Sequence, residues 1–156
     1  MIFCGEHELS LDDKGRMRIP NKLRMQLHDM DKDGFVIYAG TEGCLFIMPQ
    51  NTFEERYLSR LQSAQISDTE TQEAYRFLMS TIQTPVEDDQ GRFVLSPKLK
   101  RVADIKKKVV FLGMMNRIEI WSKEVYEERY DPSKVNMKNI YKAIEKEDVS
   151  AHTGSL

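Results

Sequence analysis

The chain carries one sequence pattern twice. Residues 11–24 (LDDKGRMRIPNKLR) align with residues 87–100 (EDDQGRFVLSPKLK), 76 positions later. Two apolar segments repeat downstream, 35–39 with 109–113 and 45–48 with 118–121, at offsets of 74 and 73. Because the offset drifts so little, the sequence predicts two copies of one structural unit that share a core or an extensive interface.

Each copy opens with a polar turn between two segments of strand character. In the first copy, residues 7–11 alternate polar and apolar up to the turn at 12–15, and residues 17–19 continue beyond it, which predicts a β-hairpin. Residues 35–39 and 109–112 are short apolar runs bounded by glycine, a pattern typical of buried strands. We therefore expect an α+β protein with about four strands in each copy.

Helical spacing fills the remaining segments. Asn51 followed by Glu54 predicts a helix N-terminus with a capping box, and residues 67–70 repeat the capping signal ahead of apolar residues spaced for a second helix. A further helix is expected near residues 123–130, where Asp131 and Pro132 end it. The last residues, from Ser150 onward, are expected to be disordered.

Overall charge gives little indication of a partner, but the local charge does. The 23 Lys and Arg and 25 Asp and Glu leave a net charge of −2, which by itself does not indicate nucleic-acid binding. Residues 14–24, however, contain five cations and no acid. We expect a basic face built by the turns and strands, with the acidic residues in helices and loops that face away from it.

The first residues and the cysteines indicate where the protein works. Two cysteines allow no disulfide framework of the secreted type, and the N-terminus lacks the basic and apolar regions of a signal peptide. No apolar run approaches the length of a membrane span. The sequence predicts a cytoplasmic protein without a membrane partner.

The repeated Asp-x-x-Gly-Arg segment is the strongest chemical feature. One interpretation is purely structural: Asp and Gly suit a tight turn, and the Arg pairs with the carboxylate four residues earlier. In the functional interpretation the Asp, at 12 and 88, orients the guanidinium of Arg16 or Arg92 toward a phosphate or a guanine edge. Alternation would place Arg16 and Arg18 on one face of a ribbon that can enter a major groove.

Further cations accompany each motif along the chain. They are Lys14, Arg18, Lys22 and Arg24 beside the first copy, and Lys98, Lys100, Arg101 and Lys106 to Lys108 beside the second. We expect each set to act with its own copy.

Other chemistries lack the required spacing. Residues 29–34 begin like an EF-hand loop, but position twelve is Gly40 rather than the required Glu. The cysteines and histidines have no zinc spacing, and no catalytic constellation is present. The sequence therefore predicts no metal, no cofactor, no small-molecule substrate and no enzyme activity.

These motifs together resemble the MraZ family. The resemblance covers about residues 1–130 and rests on Phe3-x-Gly5-Glu6, on the two Asp-x-x-Gly-Arg copies and on the segments 111–113 and 118–121. It implies two AbrB-like (SpoVT-AbrB) swapped-hairpin β-barrel modules, related by a pseudo-twofold axis and flanked by helices. The modules would span residues 1–54 and 84–130, with a helical connector at 55–83 and a helical or disordered tail at 131–156.

The resemblance also implies a function. Members of the family are bacterial transcriptional regulators that form ring-shaped homo-oligomers and bind direct repeats in the promoter of the division and cell-wall gene cluster, on the nucleoid. The implied DNA-binding residues are Lys14, Arg16, Arg18, Lys22, Arg24, Arg92, Lys98 and Lys100, oriented by Asp12, Gly15, Asp88 and Gly91. Ser96-Pro97 replaces Pro20-Asn21 in the second copy, so the chain after that strand is expected to differ.

Two alternatives remain open at this stage. An AbrB-like antitoxin would combine the same DNA-binding module with a tail that neutralises a toxin, although two fused modules argue against it. A scaffold protein would use the Asp–Arg pairs only for structure, and would show none of the salt-dependent DNA binding expected of a regulator.

Overall fold

The computed structural model describes the backbone of residues 2–153 and the side chains of residues 2–147. The strands are β1 (Glu6–Ser10), β2 (Arg16–Arg18), β3 (Phe35–Ala39), β4 (Leu45–Pro49), β5 (Arg92–Val94), β6 (Lys108–Met114) and β7 (Arg117–Ser122). The helices are α1 (Asn21–Met30), α2 (Gln50–Phe53), α3 (Ser59–Ser63), α4 (Thr69–Thr81), α5 (Pro97–Val102), α6 (Lys123–Arg129) and α7 (Lys138–Thr153). A π-helical turn at Glu54–Leu58 joins α2 to α3, and a 3-10 turn occupies Pro132–Lys134. Residues 1–126 form one unit and residues 127–156 another.

The strands form two antiparallel sheets, which confirms the α+β class. One sheet has five strands in the order β1-β6-β7-β4-β3, and the other is a two-stranded ribbon of β2 and β5. The closed β-barrel that the resemblance implies is wrong for residues 2–153, because β1 and β3 lie at opposite edges of an open five-stranded sheet.

The predicted hairpin is wrong in its pairing. A tight turn does follow β1, but β1 pairs with β6, from Glu6↔Leu112 to Ser10↔Lys108, and β2 pairs with β5. The two strands flanking the turn therefore join different sheets. The reason is burial: pairing with β6 places β1 beside a central strand, and Met17 of β2 packs into the core opposite Phe93.

Pairing between the two copies is reciprocal. In the first sheet His7 pairs with Phe111, and at the equivalent positions Gln83 forms a bridge with Ile37. The equivalent strands β4 and β7 pair directly, as do β2 and β5. The second copy has only the Gln83 bridge where the first has β1, because Pro85 lacks the N–H that a continued ladder needs.

The core lies between the two copies and contains equivalent residues from both. Three such pairs are almost completely buried: Met17 and Phe93, Ile19 and Leu95, and Leu23 and Leu99. Full burial of a side chain of this size contributes roughly 1.5–3 kcal/mol. The same packing therefore fixes both ribbon strands and the helices α1 and α5 that follow them.

The capping predictions have mixed outcomes. Asp68 caps α4 as expected, because its carboxylate accepts the Thr71 N–H at 2.8 Å. Asn51 is not a cap: α2 begins at Gln50, and the Asn51 N–H donates instead to Asp31 at 2.8 Å. The second Asp31 oxygen accepts the Asp33 N–H at 2.8 Å, so this buried carboxylate serves backbone groups on two segments.

In the second unit, α7 continues three residues past Ser150, where disorder was expected, and residues 154–156 lie outside the described residues. In the described part of the chain, no helix has the length and apolar character needed to span a membrane.

Candidate nucleic-acid interface

The first motif copy forms a turn braced by one carboxylate. Asp12 Oδ1 accepts the backbone N–H groups of Lys14 and Arg16, at 3.0 and 2.8 Å. Asp12 Oδ2 accepts the side-chain Nε–H of Arg16 at 2.6 Å. The Gly15 N–H donates to the Asp12 carbonyl, and Gly15 has a φ of +74°, a conformation that favours glycine.

The second copy repeats this geometry bond for bond. Asp88 Oδ1 accepts the N–H groups of Gln90 and Arg92 at 2.9 and 2.8 Å, and Oδ2 accepts Arg92 Nε–H at 2.8 Å. Gly91 has a φ of +78° and donates to the Asp88 carbonyl. The orienting role assigned to both aspartates therefore has a definite structural form: each fixes its arginine.

These bonds keep the aspartates ionised. The pKa of Asp12 lies below its usual value, mainly because the backbone N–H of Arg16 donates to it and also because of the Arg16 guanidinium, while partial desolvation opposes the shift. The pKa of Asp88 is lowered by the same groups of Arg92. Each carboxylate contacts its guanidinium through Nε, and within residues 2–147 the terminal nitrogens of both arginines have no partner. Those nitrogens are the donors that bind phosphate or guanine.

The ribbon gathers the arginines of both copies on one face. Met17 and Phe93 are opposite each other and buried, so their neighbours point outward. On the outward face Arg18 lies directly opposite Arg92, and Arg16 lies opposite Val94, which is 47% exposed. The expected placement of Arg16 and Arg18 on one strand face is confirmed, but the second strand of the ribbon is β5.

Some cations of each copy lie beside the turn of the other copy. The Lys100 ammonium lies over the first turn, 3.0 Å from the position that a Cβ on Gly15 would take. Reciprocally, the Arg24 guanidinium lies 2.9 Å from the corresponding position on Gly91. The expected grouping along the chain is therefore wrong for Lys100 and Arg24, because the strand pairing places α5 at the first turn and α1 at the second.

Arg24 is also neutralised at the second turn. Its Nε–H donates to Glu87 Oε2 at 2.7 Å, and His28 Nε2 lies 3.0 Å from the other oxygen of the same carboxylate. A guanidinium held in this way is a weaker phosphate ligand than a free one. Glu87 occupies the position of Leu11 in the first copy.

The remaining predicted site residues lie at the edges of this region. Lys22 is exposed in the first turn of α1. Lys98 donates to Ser80 and lies 5.3 Å from the ring centre of Phe77, so it is drawn toward α4. Two cations absent from the predicted site, Lys106 and Lys107, lie in a cleft beside the first turn. The run of lysines was the available signal, but its position in the second copy pointed to the other turn.

Within the described residues, no group of His, Cys, Asp and Glu side chains is arranged to hold a metal ion. Asp31, the central acid of the EF-hand-like segment, is engaged with backbone N–H groups.

The fold and the site define a class of protein: an internally duplicated α+β chain whose two braced turns present arginines on a shared β-ribbon. The comparisons agree on its family. The model of the MraZ family, described as "MraZ protein, putative antitoxin-like", matches residues 2–77 and 79–146. This chain belongs to the MraZ family.

Similar proteins share most of the chain. A protein of Pediococcus pentosaceus is 36% identical over 141 residues, covering 89% of this chain and 94% of its own length. One of Lactobacillus delbrueckii subsp. bulgaricus is 37% identical over 130 residues, with 83% and 87% covered. A third, of Methylococcus capsulatus, is 34% identical over 128 residues, with 81% and 82% covered. Each is named Transcriptional regulator MraZ.

Proposed function

We propose that this protein is a transcriptional regulator that binds double-stranded DNA through the outward face of the β2–β5 ribbon. The observation that carries the proposal is the set of three arginines on that face, two of them oriented by Asp12 and Asp88. A two-stranded ribbon fits the major groove, which is about 12 Å wide. The names of the relatives support regulation of transcription.

The finer roles follow from position. Arg16 and Arg92 contact base edges or phosphates, and Arg18 and Lys22 contact phosphates beside them. Lys14 and Lys100 act together at the first turn, whereas Arg24 and Lys98 contribute less because Glu87, Ser80 and Phe77 engage them. Neither a cofactor nor a small-molecule substrate has a role in this binding.

We infer that the two copies are AbrB-like swapped-hairpin modules, at 1–54 and 84–130, around a helical connector at 55–83. The pairs His7↔Phe111 and Ile37↔Gln83 support this arrangement, because the first module pairs with a strand of the second, and the last residue of the connector, directly before the second module, pairs with a strand of the first. The segment 131–156 is then a tail outside the modules.

The regulator acts in the cytoplasm on the nucleoid, as a ring-shaped homo-oligomer on direct repeats upstream of the division and cell-wall genes. Exposed apolar side chains support self-association, among them Phe77, Met79, Met114 and Met115. A ring multiplies weak contacts across repeated sites and raises the affinity well above that of one chain.

The decisive experiment is a gel shift with the DNA upstream of the protein's own gene. We compare wild type with Arg16→Ala, Arg92→Ala and the double variant, and use Arg76→Ala as the matched control. The Arg76 side chain is 65% exposed on helix α4, outside the ribbon, and among the described residues its ion pair is with Glu73. Each ribbon substitution is expected to weaken binding by about 1–3 kcal/mol per contact.

The outcomes separate the alternatives. A folded double variant that binds this DNA as tightly as wild type would refute the assignment of the ribbon. Wild-type protein that binds no DNA at any salt concentration would instead support the scaffold alternative, in which the Asp–Arg pairs only brace the turns. An antitoxin would bind DNA in the same assay and would in addition need a toxin bound by its tail.

A further inference from the structure

The two turns share their hydrogen bonds but differ in the charges around them. The first turn borders a cleft of about 460 Å³ whose lining includes four lysines. They are Lys14 and, from the second copy, Lys100, Lys106 and Lys107. The acids in this lining are Asp12, which accepts the Arg16 Nε–H, and Asp13. None of the four lysine ammonium groups has a hydrogen bond or ion pair with a carboxylate in the described part of the chain.

The second turn has the opposite balance. Glu87, Asp88 and Asp89 follow one another, and Gln90 stands where the first copy has Lys14. The cations at this turn are Arg92, which Asp88 holds, and Arg24, which Glu87 holds. Lys32 is equivalent to Lys106, but the positions equivalent to Lys107 and Lys108 are Asp33 and Gly34, so the matching loop of the first copy carries one lysine and no lysine run.

We propose that the cleft at the first turn is the phosphate-anchoring site of the chain, where Lys14, Lys100, Lys106 and Lys107 hold neighbouring phosphodiesters of the DNA backbone. The inference rests on the proposed function and extends it, because the two turns then contribute unequally. The first turn, with lysines from both copies, supplies most of the electrostatic attraction to the backbone. The second turn contributes Arg92 to the ribbon face and little attraction around it.

The chemistry of the cleft fits a phosphate better than a base edge. Ammonium groups are compact point charges that bind phosphate oxygens without the planar geometry that base recognition requires. Cations that neutralise phosphates also release condensed counterions, and the logarithm of the affinity falls by about 0.9 per phosphate for each tenfold rise in salt. The cleft should therefore dominate the salt dependence of binding.

The test compares two double variants that remove equal charge from the full-length protein. The first variant, Lys106→Gln with Lys107→Gln, removes two of the four lysines that line the cleft. Lys32→Gln with Lys142→Gln is the control: Lys32 is the first-copy equivalent of Lys106, Lys142 lies in the tail, and both are exposed. Affinity for the upstream DNA is measured over a range of salt concentrations, and circular dichroism verifies that the variants are folded.

The cleft variant is expected to bind about 10-fold more weakly at low salt and to show a salt slope shallower by about 1–2, while the control stays within about 2-fold of wild type. Glu87→Gln releases Arg24 and is expected to strengthen binding and steepen the slope. Equal weakening by both double variants would overturn the proposal, because net charge alone would then explain the loss.

The failure of the anchoring cleft can be distinguished from the failure of the proposed function by comparison with the arginine variants. Binding that depends on Arg16 and Arg92 but is unaffected by loss of Lys106 and Lys107 refutes the anchoring cleft and leaves the proposed function standing. Binding that survives loss of both arginines refutes the proposed function itself.

Discussion

The ribbon face contains a pair of like charges whose removal should stabilise the free protein. Arg18 and Arg92 are directly opposite each other in the antiparallel ribbon and point outward on the same face. Like charges in directly opposed positions destabilise a sheet by roughly 0.2–1 kcal/mol. Asp88 holds Arg92 through Nε, whereas Arg18 has no such partner among the described residues. The repulsion is therefore relieved most simply at Arg18.

The perturbation is Arg18→Gln. It should raise the free energy of unfolding by about 0.5 kcal/mol, within the range for opposed charges, and raise Tm by about 1–2 °C for a chain of this size. The same variant should weaken DNA binding, because one phosphate contact is lost and the salt slope becomes shallower by about 1. Stability and affinity are thus expected to change in opposite directions.

Urea denaturation at matched protein concentration measures the first effect, and a salt titration of DNA binding measures the second. Lys22→Gln serves as the control, because Lys22 is an exposed cation on helix α1 and not in the paired ribbon. It should weaken DNA binding without a gain in stability. The gain from Arg18→Gln should also vanish in 1 M salt, where the Debye length falls to about 3 Å. A gain of the same size at high salt, or a loss of stability at low salt, would refute the reasoning.

Three further predictions concern the turns and the sheet. Asp12→Asn keeps an oxygen for the two backbone N–H groups but cannot accept the Arg16 Nε–H, so we expect a folded protein with several-fold weaker DNA binding in a gel shift. Asp12→Ala also removes the acceptor for the two backbone N–H groups, so the turn itself should lose its order. The pKa values of Asp12 and Asp88 are lowered in the fold, so their stabilising effect is complete above the usual value of 3.8 and is lost as pH falls through the lower folded values. The free energy of unfolding, measured by denaturation below pH 4, should therefore fall as pH falls, and it should fall less in Asp12→Asn. Gly113→Ala would place a Cβ against the backbone nitrogen of Cys4, which cannot move aside. We therefore expect it to lower Tm far more than Gly15→Ala, whose nearest contact is the flexible ammonium of Lys100.

Local features of the fold follow well from the sequence. The limits of β3 agree with the apolar run at 35–39, and both turn braces join residues four positions apart. Such contacts depend on neighbouring residues, so turn chemistry and spacing determine them. The Asp68 cap is of the same kind, since its acceptor and donor are three residues apart.

Pairing over long distances does not follow from local pattern. The segments that flank the first turn alternate as a hairpin would, yet β1 and β2 find partners about a hundred and about 75 residues away. Alternation shows which face of a strand is buried but not which strand lies beside it. The failed cap at Asn51 has the same origin, because the carboxylate that serves this N–H is Asp31, 20 residues earlier.

Strand pairing also redistributes the charges. The sequence placed acids in helices and loops away from a basic face, but Glu87, Asp88 and Asp89 lie at the second turn itself. Lysines of the second copy meanwhile gather at the first turn. The near-neutral net charge is therefore the sum over a basic first turn, an acidic second turn and the rest of the chain.

Fusion of the two copies in one chain allows the two turns to carry different charges. In a homodimer of single-copy chains, both turns would carry the same residues, and a change that neutralised one arginine would neutralise its symmetry mate. Here Leu11 is buried in the core while its equivalent Glu87 holds Arg24 and His28. One turn can therefore lose attraction to phosphate while the other retains it, and the ribbon between them still presents arginines from both copies. A protein bound in this way has a direction along the DNA, set by which turn anchors the backbone.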